Sequence, residues 1–449
     1  MFKKLFLLSL FFSTALYAET LSDVLALTYQ NNLGIQAARA GQKATDELTA
    51  KAKAGYRPNV YAQGSIGRTH NKMIFDDTLP AEKYNQTPKD VSLRFSQPIF
   101  SGLSTFNEVH SAKQQVKSSR ENLHNTEQVS LLDAVAVYMD VIRDTAVLEL
   151  TKNNEEVLKK HLESTRKKFK VGDLTRTDVA QSEARLSQAT ANRIAAEGNL
   201  KVSKANFFNV VLEEPDHLED VKEPLIAPPD SLEAVLKEAA ENNPKIKAAV
   251  HAEKAAQYTV KSKKGKLLPL VSVNGAVGQA KDNSTVQKND YWQITADATV
   301  PLFQSGAEYA DIRQAKNTAS QYRLFLAQTR QQVQAEATNA WENYQSSKAQ
   351  IKWLEDQIKA SETALKGVIR EQSVGTRTVL DVLDAEQEHL NSQVALVKAH
   401  RDEVVSAYAL LGAIGQLTPK ALRLPVEEYD PKEYYDSIQH KWIGYGTGE

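Results

Sequence analysis

Proline is missing from two very long stretches of this chain. None occurs between Pro98 and Pro215, and none between Pro301 and Pro419. Proline inside a helix removes a hydrogen bond and clashes with the preceding turn, so its absence lets a helix run on. The apolar spacing agrees. Ala337, Ala340, Tyr344, Ser347, Ile351, Leu354, Ile358, Ser361, Leu365 and Val368 step by three and four, as in a heptad seam. Leu383, Gln387, Leu390, Val394, Val397, Arg401, Val404, Tyr408 and Leu411 continue it. Leu132, Val135, Met139, Ile142 and Ala146 do the same in the first half. Each stretch is interrupted once, at Val171-Gly172 and at Val374-Gly375. The pattern therefore predicts two helical hairpins. A helix over 103–170 would run roughly 100 Å at 1.5 Å per residue, and helices over 21–55 and 176–213 roughly 50 and 57 Å.

The two halves are copies. Thr20 to Leu25 match Ser231 to Leu236 at an offset of 211, as do Asn31-Asn32 with Asn242-Asn243, Ile35 with Ile246, and Pro58, Gly64 and Gly67 with Pro269, Gly275 and Gly278. The offset then falls to 203, where Pro98 matches Pro301, Gly172 matches Gly375 and Val179 matches Val382. A period of ~200 residues is far longer than a solenoid repeat. The division expected is a first repeat over 19–212, a linker over 213–230, a second repeat over 231–418 and a tail over 419–449. The linker is rich in proline and acid, from Glu213-Glu214-Pro215 to Pro228-Pro229-Asp230, as connecting segments are.

Each repeat reads helix, strand, loop, strand, long helix, turn, helix. After Pro58, Val60, Ala62, Gly64 and Ile66 alternate with Tyr61, Gln63 and Ser65. Val91, Leu93 and Phe95 alternate with Ser92, Arg94 and Ser96. In the second copy, Val271, Val273, Gly275 and Val277 alternate with Ser272, Asn274 and Ala276. Trp292, Ile294, Ala296, Ala298 and Val300 alternate with Gln293, Thr295, Asp297 and Thr299. Period two is the signature of a strand with one apolar and one wet face. Four strands of ~9–11 residues match the length of tilted membrane strands. A soluble pair of hairpins packed on helices is the plainer alternative. Strands in lipid cannot leave open edges, and four cannot close a barrel, so copies would have to share one. A dimer with eight strands and a trimer with twelve both satisfy geometry.

Other features narrow the class. Lys3-Lys4, the apolar run from Leu5 to Leu16, and Ala18 before Glu19 read as a secretory leader over 1–18. There is no cysteine, so thiol chemistry and a lipoprotein anchor are excluded. A net charge of −1 gives no footprint for nucleic acid. No HExxH, phosphate loop, nucleophile elbow or dinucleotide fingerprint occurs. The expectation is a non-enzyme without cofactor or metal.

Taken with the repeats and hairpins, the tip sequence Val-Gly-Thr-Arg-Thr-Val-Leu-Asp-Val-Leu-Asp over 374–384 resembles the TolC-type outer-membrane channel family. So do Pro-Ile-Phe-Ser-Gly at 98–102 and Pro-Leu-Phe-Gln-Ser-Gly at 301–306. The resemblance implies an α+β membrane protein. A homotrimer would share a 12-stranded transmembrane β-barrel, four strands per chain, set on a long α-helical coiled-coil barrel in the periplasm. It implies an exit duct in the outer membrane. Its partners would be a periplasmic adaptor and an inner-membrane ABC or other export transporter, and its cargo proteins or drugs. The aromatic, charged tail, with Tyr434-Tyr435-Asp436 and Lys441-Trp442, resembles type I secretion members; an unstructured end is the alternative. The loops at 68–90 and 279–290 would face outside the cell. The competing class is a periplasmic coiled-coil interaction protein without a pore.

The resemblance also implies sites. Arg377 with Thr177 and Asp178 matches the periplasmic gate, Asp381 and Asp384 the selectivity ring, and Val171-Gly172 and Val374-Gly375 the adaptor-docking tips. Two residues depart from the family pattern. Gln372 stands where a tyrosine often shares in closure, and Asp173 stands where an apolar residue is usual. Asp381 and Asp384 share a helix face, and charged rings set selectivity. The plainer readings are helix-capping aspartates and an ordinary surface arginine.

Overall fold

The computed structural model describes residues 19–73, 82–221, 224–281 and 288–446. The expected leader, 1–18, lies outside these residues, as do 74–81 and 282–287 within the strand-connecting loops. The chain divides into two compact units. One comprises Met1–Arg39, Asn122–Ile246 and Arg330–Tyr429; the other comprises Ala40–Glu121, Lys247–Thr329 and Asp430–Glu449.

The elements follow the same order in each half. The first half has α1 (Leu21–Asn31), α2 (Leu33–Lys53), β1 (Asn59–Ile66), β2 (Thr69–Met73), β3 (Glu82–Gln86), β4 (Lys89–Ser101), α3 (Ser104–Lys170) and α4 (Arg176–Val211). The second has α5 (Leu232–Asn242), α6 (Pro244–Gly265), β5 (Leu270–Lys281), β6 (Asn289–Thr299), α7 (Ala307–Ser373) and α8 (Val379–Ala413), and α9 (Pro431–Ile438) follows. Helices α3 and α7 each hold 67 residues.

The single helix expected over 21–55 is instead two, α1 and α2, parted at Asn32. Asn32 leaves the helical backbone at φ −58°, ψ 123°. Its Oδ1 accepts from the amides of Gly34 (2.9 Å) and Ile35 (3.2 Å), capping α2. Its Nδ2 donates to the Val210 carbonyl (2.9 Å), a carbonyl that the end of α4 leaves without a helical partner. Asn243 repeats this between α5 and α6, accepting from the Lys245 amide (2.9 Å) and donating to the Ala413 carbonyl (2.9 Å). The duplicated Asn-Asn pair is thus a joint used twice.

In the unit holding these joints the core is formed by Leu25, Ile35, Leu131, Tyr138, Phe207, Tyr408, Leu411 and Ile414, all fully buried. Tyr138 Oη lies 2.9 Å from the Glu19 carbonyl and 2.7 Å from the Glu219 carbonyl, its one proton shared between the two acceptors, which fastens the linker. Burial pushes the Tyr138 hydroxyl well above the usual phenol range. Tyr408 Oη accepts from the Leu225 amide (3.1 Å) and fastens it again. On α7 the predicted seam is half-buried or buried throughout, with Ala337 and Tyr344 the most enclosed.

The other unit carries a four-stranded antiparallel sheet in the order β1-β4-β5-β6. Register aligns Val60, Phe95, Gly275 and Ile294 in one row, and Ala62, Leu93, Val277 and Trp292 in the next. Gly275 is required there, because a Cβ would lie 2.0 Å from the Phe95 ring. Below the sheet Gly102, at φ +61°, crosses Gly265 so closely that a Cβ would meet its carbonyl oxygen at 2.0 Å. Ser111 and Ser118 on α3 donate to the Ala255 and Ala248 carbonyls of α6, at 3.0 and 2.9 Å.

One further expectation needs correction. The segment 68–90 is not all loop, since β2 and β3 pair within it as a second, two-stranded sheet. Its polar Thr69-His70-Asn71-Lys72 lacks the apolar alternation that marks a half-buried strand, so the pattern did not signal one. The tail, for which two readings stood open, is folded over its described residues, 419–446. Leu422, Leu424 and Ile438 are buried, and Tyr434 Oη donates to Glu47 on α2 (2.8 Å).

Candidate functional site

The two Val-Gly turns are built alike. At the first, the Gly172 amide donates to the Phe169 carbonyl (3.0 Å) and the Asp173 amide to the Lys168 carbonyl (3.0 Å). At the second, Gly375 donates to Gln372 (3.1 Å) and Thr376 to Glu371 (3.0 Å). These nested bonds close a helix C-terminus and need a left-handed residue just past its end. Gly172 and Gly375 supply it at φ +87° and +82°. The flanking Val171 and Val374 are each 74% exposed, offering two bare apolar side chains at the turns.

The next helix starts the same way in both copies. Thr175 and Thr378 are the N-caps of α4 and α8, and Asp178 and Asp381 complete capping boxes. Asp178 accepts from the Thr175 amide (2.8 Å) and hydroxyl (2.7 Å); Asp381 accepts from Thr378 in the same manner, both at 2.8 Å. The Thr378 amide, then its hydroxyl, hold the Asp381 carboxyl below the usual carboxylate range. Capping is therefore one role of both aspartates.

Arg377 pairs through Nε with Glu371 Oε2 at 2.9 Å, and both side chains are about half exposed. Glu371 raises the arginine's pKa further. Within the chain Arg377 meets this carboxylate rather than Thr177 or Asp178. Thr177 is exposed and Asp178 half-buried. Asp384 is exposed and ion-paired to Arg185 on α4.

The turns belong to one packed region. Leu158, Ala189, Val379 and Leu383 form a small core, with Leu174 and Leu186 against it. Beside it His161 on α3 lies 2.8 Å from Glu386 on α8. Further along α3, Arg143 bonds Asp140 (2.7 Å) and Asp144 (2.8 Å), and Arg401 on α8 bonds the same Asp140 (2.9 Å). The inter-helix pairs of Arg185, His161 and Arg401 were not foreseen. Asp-x-x-Arg-Asp over 140–144, with arginine at seam position 401, was the available signal. Among the described residues no group of His, Asp or Glu is arranged to hold a metal ion. No helix among them is long and apolar enough to cross a membrane.

A family model described as outer membrane efflux protein matches residues 24–210 and 235–416, one segment per repeat. The outer membrane efflux protein BepC of Brucella suis is 35% identical over 435 residues, covering 96% of this chain and 93% of that protein. The outer membrane protein TolC of Vibrio cholerae is 24% identical, covering 90% of this chain and 93% of that protein. The alkaline protease secretion protein AprF of Pseudomonas aeruginosa is 24% identical, covering 88% and 84%. Among solved structures, the Campylobacter jejuni CmeC outer membrane channel superposes with a TM-score of 0.80 at 16% identity, covering 94% of this chain and 89% of that one. That last likeness speaks to the fold alone.

Proposed function

The chain belongs to the outer membrane efflux protein family, and from that premise we propose that three copies form one conduit through the outer membrane. Each would lend its four-stranded sheet to a shared 12-stranded barrel and its helices to a periplasmic tube. The conduit works passively as the exit duct of a tripartite system. A periplasmic adaptor docks at Val171-Gly172 and Val374-Gly375, and an inner-membrane transporter supplies the energy.

One observation carries this reading. The sheet presents an apolar face to the outside while both of its edges are open. Val60, Leu93, Val277, Trp292 and Ile294 are exposed, and β1 and β6 each have a single neighbour. Hydrocarbon suits such a face, but it does not tolerate unpaired backbone edges. Joining β6 of one copy to β1 of the next removes every edge at once. Proteins are the proposed cargo, with drugs as a second class; the secretion named for AprF supports the first and the efflux named for BepC the second.

Purified protein in a planar bilayer is expected to give discrete conductance steps, and cross-linking in detergent to give three chains. A monomer that stays soluble without detergent and conducts nothing would return the chain to the pore-free coiled-coil class.

At the turns we place the gate at Arg377, Thr177 and Asp178, with the arginine reaching the pair on a neighbouring hairpin. Asp381 and Asp384 form the cation-selective ring. Glu371 competes for Arg377, and an ion pair this exposed is weak because water screens it, so exchange of partners is cheap.

A further inference from the structure

The tail climbs α2 step by step. The Gln42 side chain donates to the Pro431 carbonyl (3.3 Å), Tyr434 bonds Glu47 (2.8 Å), Lys53 Nζ donates to the Gln439 carbonyl (3.1 Å), and Arg57 Nη1 donates to the Lys441 carbonyl (2.9 Å). Each contact lies further along the chain than the last, from α2 through Arg57 just past its end, and β1 begins at Asn59, two residues past Arg57. The path ends on three bare apolar side chains. Trp442 is 66% exposed, Ile443 91% and Tyr445 fully. The Arg57 guanidinium sits 4.9 Å from the centre of the Trp442 ring, holding it at the foot of the sheet. Lys53 and Lys441 add positive charge on the same stretch of the path, Lys53 bonded to the Gln439 carbonyl (3.1 Å) and Lys441 to the Gly446 carbonyl (2.8 Å).

Aromatic side chains with a polar edge collect at membrane–water boundaries. Cations beside them attract anionic headgroups. We infer that residues 442–445 are a membrane-interface anchor that seats in the headgroup layer of the inner leaflet, where Lys53, Arg57 and Lys441 contact anionic phospholipid. A bare tryptophan and isoleucine in water gain nothing by exposure; the gain comes from burial at the boundary where β1 enters lipid. The inference rests on the reading that the sheet lies in a membrane.

Because the chain has no cysteine, one can be introduced alone. Ile443→Cys and, separately, Val277→Cys in the full chain would carry a nitroxide in vesicles of phosphatidylethanolamine and phosphatidylglycerol. Relaxation by oxygen, which partitions into lipid, is compared with relaxation by a water-soluble nickel chelate. At Val277→Cys oxygen should dominate by a wide margin. At Ile443→Cys the oxygen-to-nickel ratio should be intermediate, and Arg57→Ala should lower it severalfold. A ratio as low as that of a label at exposed Gln350 overturns the anchor. An immobile label shielded from both reagents also overturns it, since the tail would then pack on a neighbouring subunit. An equal ratio in vesicles of phosphatidylcholine alone overturns the anionic headgroup assignment. If Val277→Cys itself favours nickel, the membrane reading fails instead.

Discussion

His161 on α3 and Glu386 on α8 form a 2.8 Å ion pair in which the carboxylate is almost wholly buried and the imidazole one-third exposed. The hydrogen bond to Glu386 raises the histidine's pKa above 6.5, overcoming the burial that opposes it. A raised histidine contributes its stability in full below its unfolded value and loses it as pH rises through the folded value. The α3–α8 contact beside the turns is therefore expected to hold below about pH 6.5, the ordinary histidine value, and to loosen as pH rises through the raised folded value. Amide exchange of α8, corrected for intrinsic rate, should quicken over that rise in the native protein and stay level in His161→Gln. His161→Leu should cost about 1–3 kcal/mol, because Glu386 is then buried without a partner.

The asparagine joints give a second test. Asn32→Ala removes both the cap of α2 and the bond to the Val210 carbonyl, and should cost about 1–2 kcal/mol. Asn243→Ala should cost somewhat less, since its Oδ1 caps through one amide where Asn32 has two, while its bond to the distant carbonyl is matched. Asn32→Asp keeps the acceptor and loses the donor. A thermal shift as large as that of Asn32→Ala would assign the stability to the Val210 bond; a small one would assign it to the cap.

Gly275 faces the Phe95 ring across the sheet. Gly275→Val overfills that row, at a cost of about 1–3 kcal/mol per chain, and should lower the yield of assembled protein on unheated gels. Phe95→Ala in the same chain should restore it. Without that rescue the defect would lie in the backbone freedom of Gly275, not in crowding.

These tests divide by what local pattern can express. Helix hairpins were legible because proline-free heptads and the Val-Gly stop are short-range signals. The nested bonds at Gly172 and Gly375 explain why the stop needs glycine. Strands β1, β4, β5 and β6 were legible through period two. The polar ribbon of β2 and β3 has no such period and was missed. The breaks at Asn32 and Asn243 were visible as a repeat but not as a joint, because their partners, Val210 and Ala413, are far away in sequence. Arg377 shows the same limit. Its surroundings at the turn were readable, whereas its choice of Glu371 depends on side-chain placement.

At the proposed ring Asp384 is paired with Arg185, while Asp381 is bonded chiefly to its own helix start. Arg185 cancels part of the field that Asp384 contributes. Asp381→Asn should therefore weaken block by multivalent cations from the periplasmic side more than Asp384→Asn does. Arg185→Gln should strengthen it. Single-channel recordings with a trivalent cation added on that side decide the order. Unchanged block in the Asp381→Asn, Asp384→Asn double variant would place the selectivity elsewhere.

The last test concerns Arg377 and its two sets of partners. In the chain its guanidinium holds Glu371 at 2.9 Å, while Asp178 is occupied by Thr175. Reaching Asp178 on a neighbour means leaving the half-exposed Glu371 for a half-buried carboxylate that already accepts from Thr175, and ion pairs at a wet surface are weak. In the proposed trimer, three such exchanges around one mouth would bias a balance of a few kcal/mol between closed and open states. If Gln372 stands where the family resemblance expects a closing tyrosine, fewer contacts would share the proposed closure. Arg377→Ser should then raise single-channel conductance and sensitise cells to large antibiotics. Glu371→Gln should act oppositely, since it releases the arginine toward Thr177 and Asp178, and conductance should fall. High salt screens exposed pairs and should bring the native channel toward the Arg377→Ser value. Equal conductance of native, Arg377→Ser and Glu371→Gln channels at matched salt would show that the gate does not depend on this arginine.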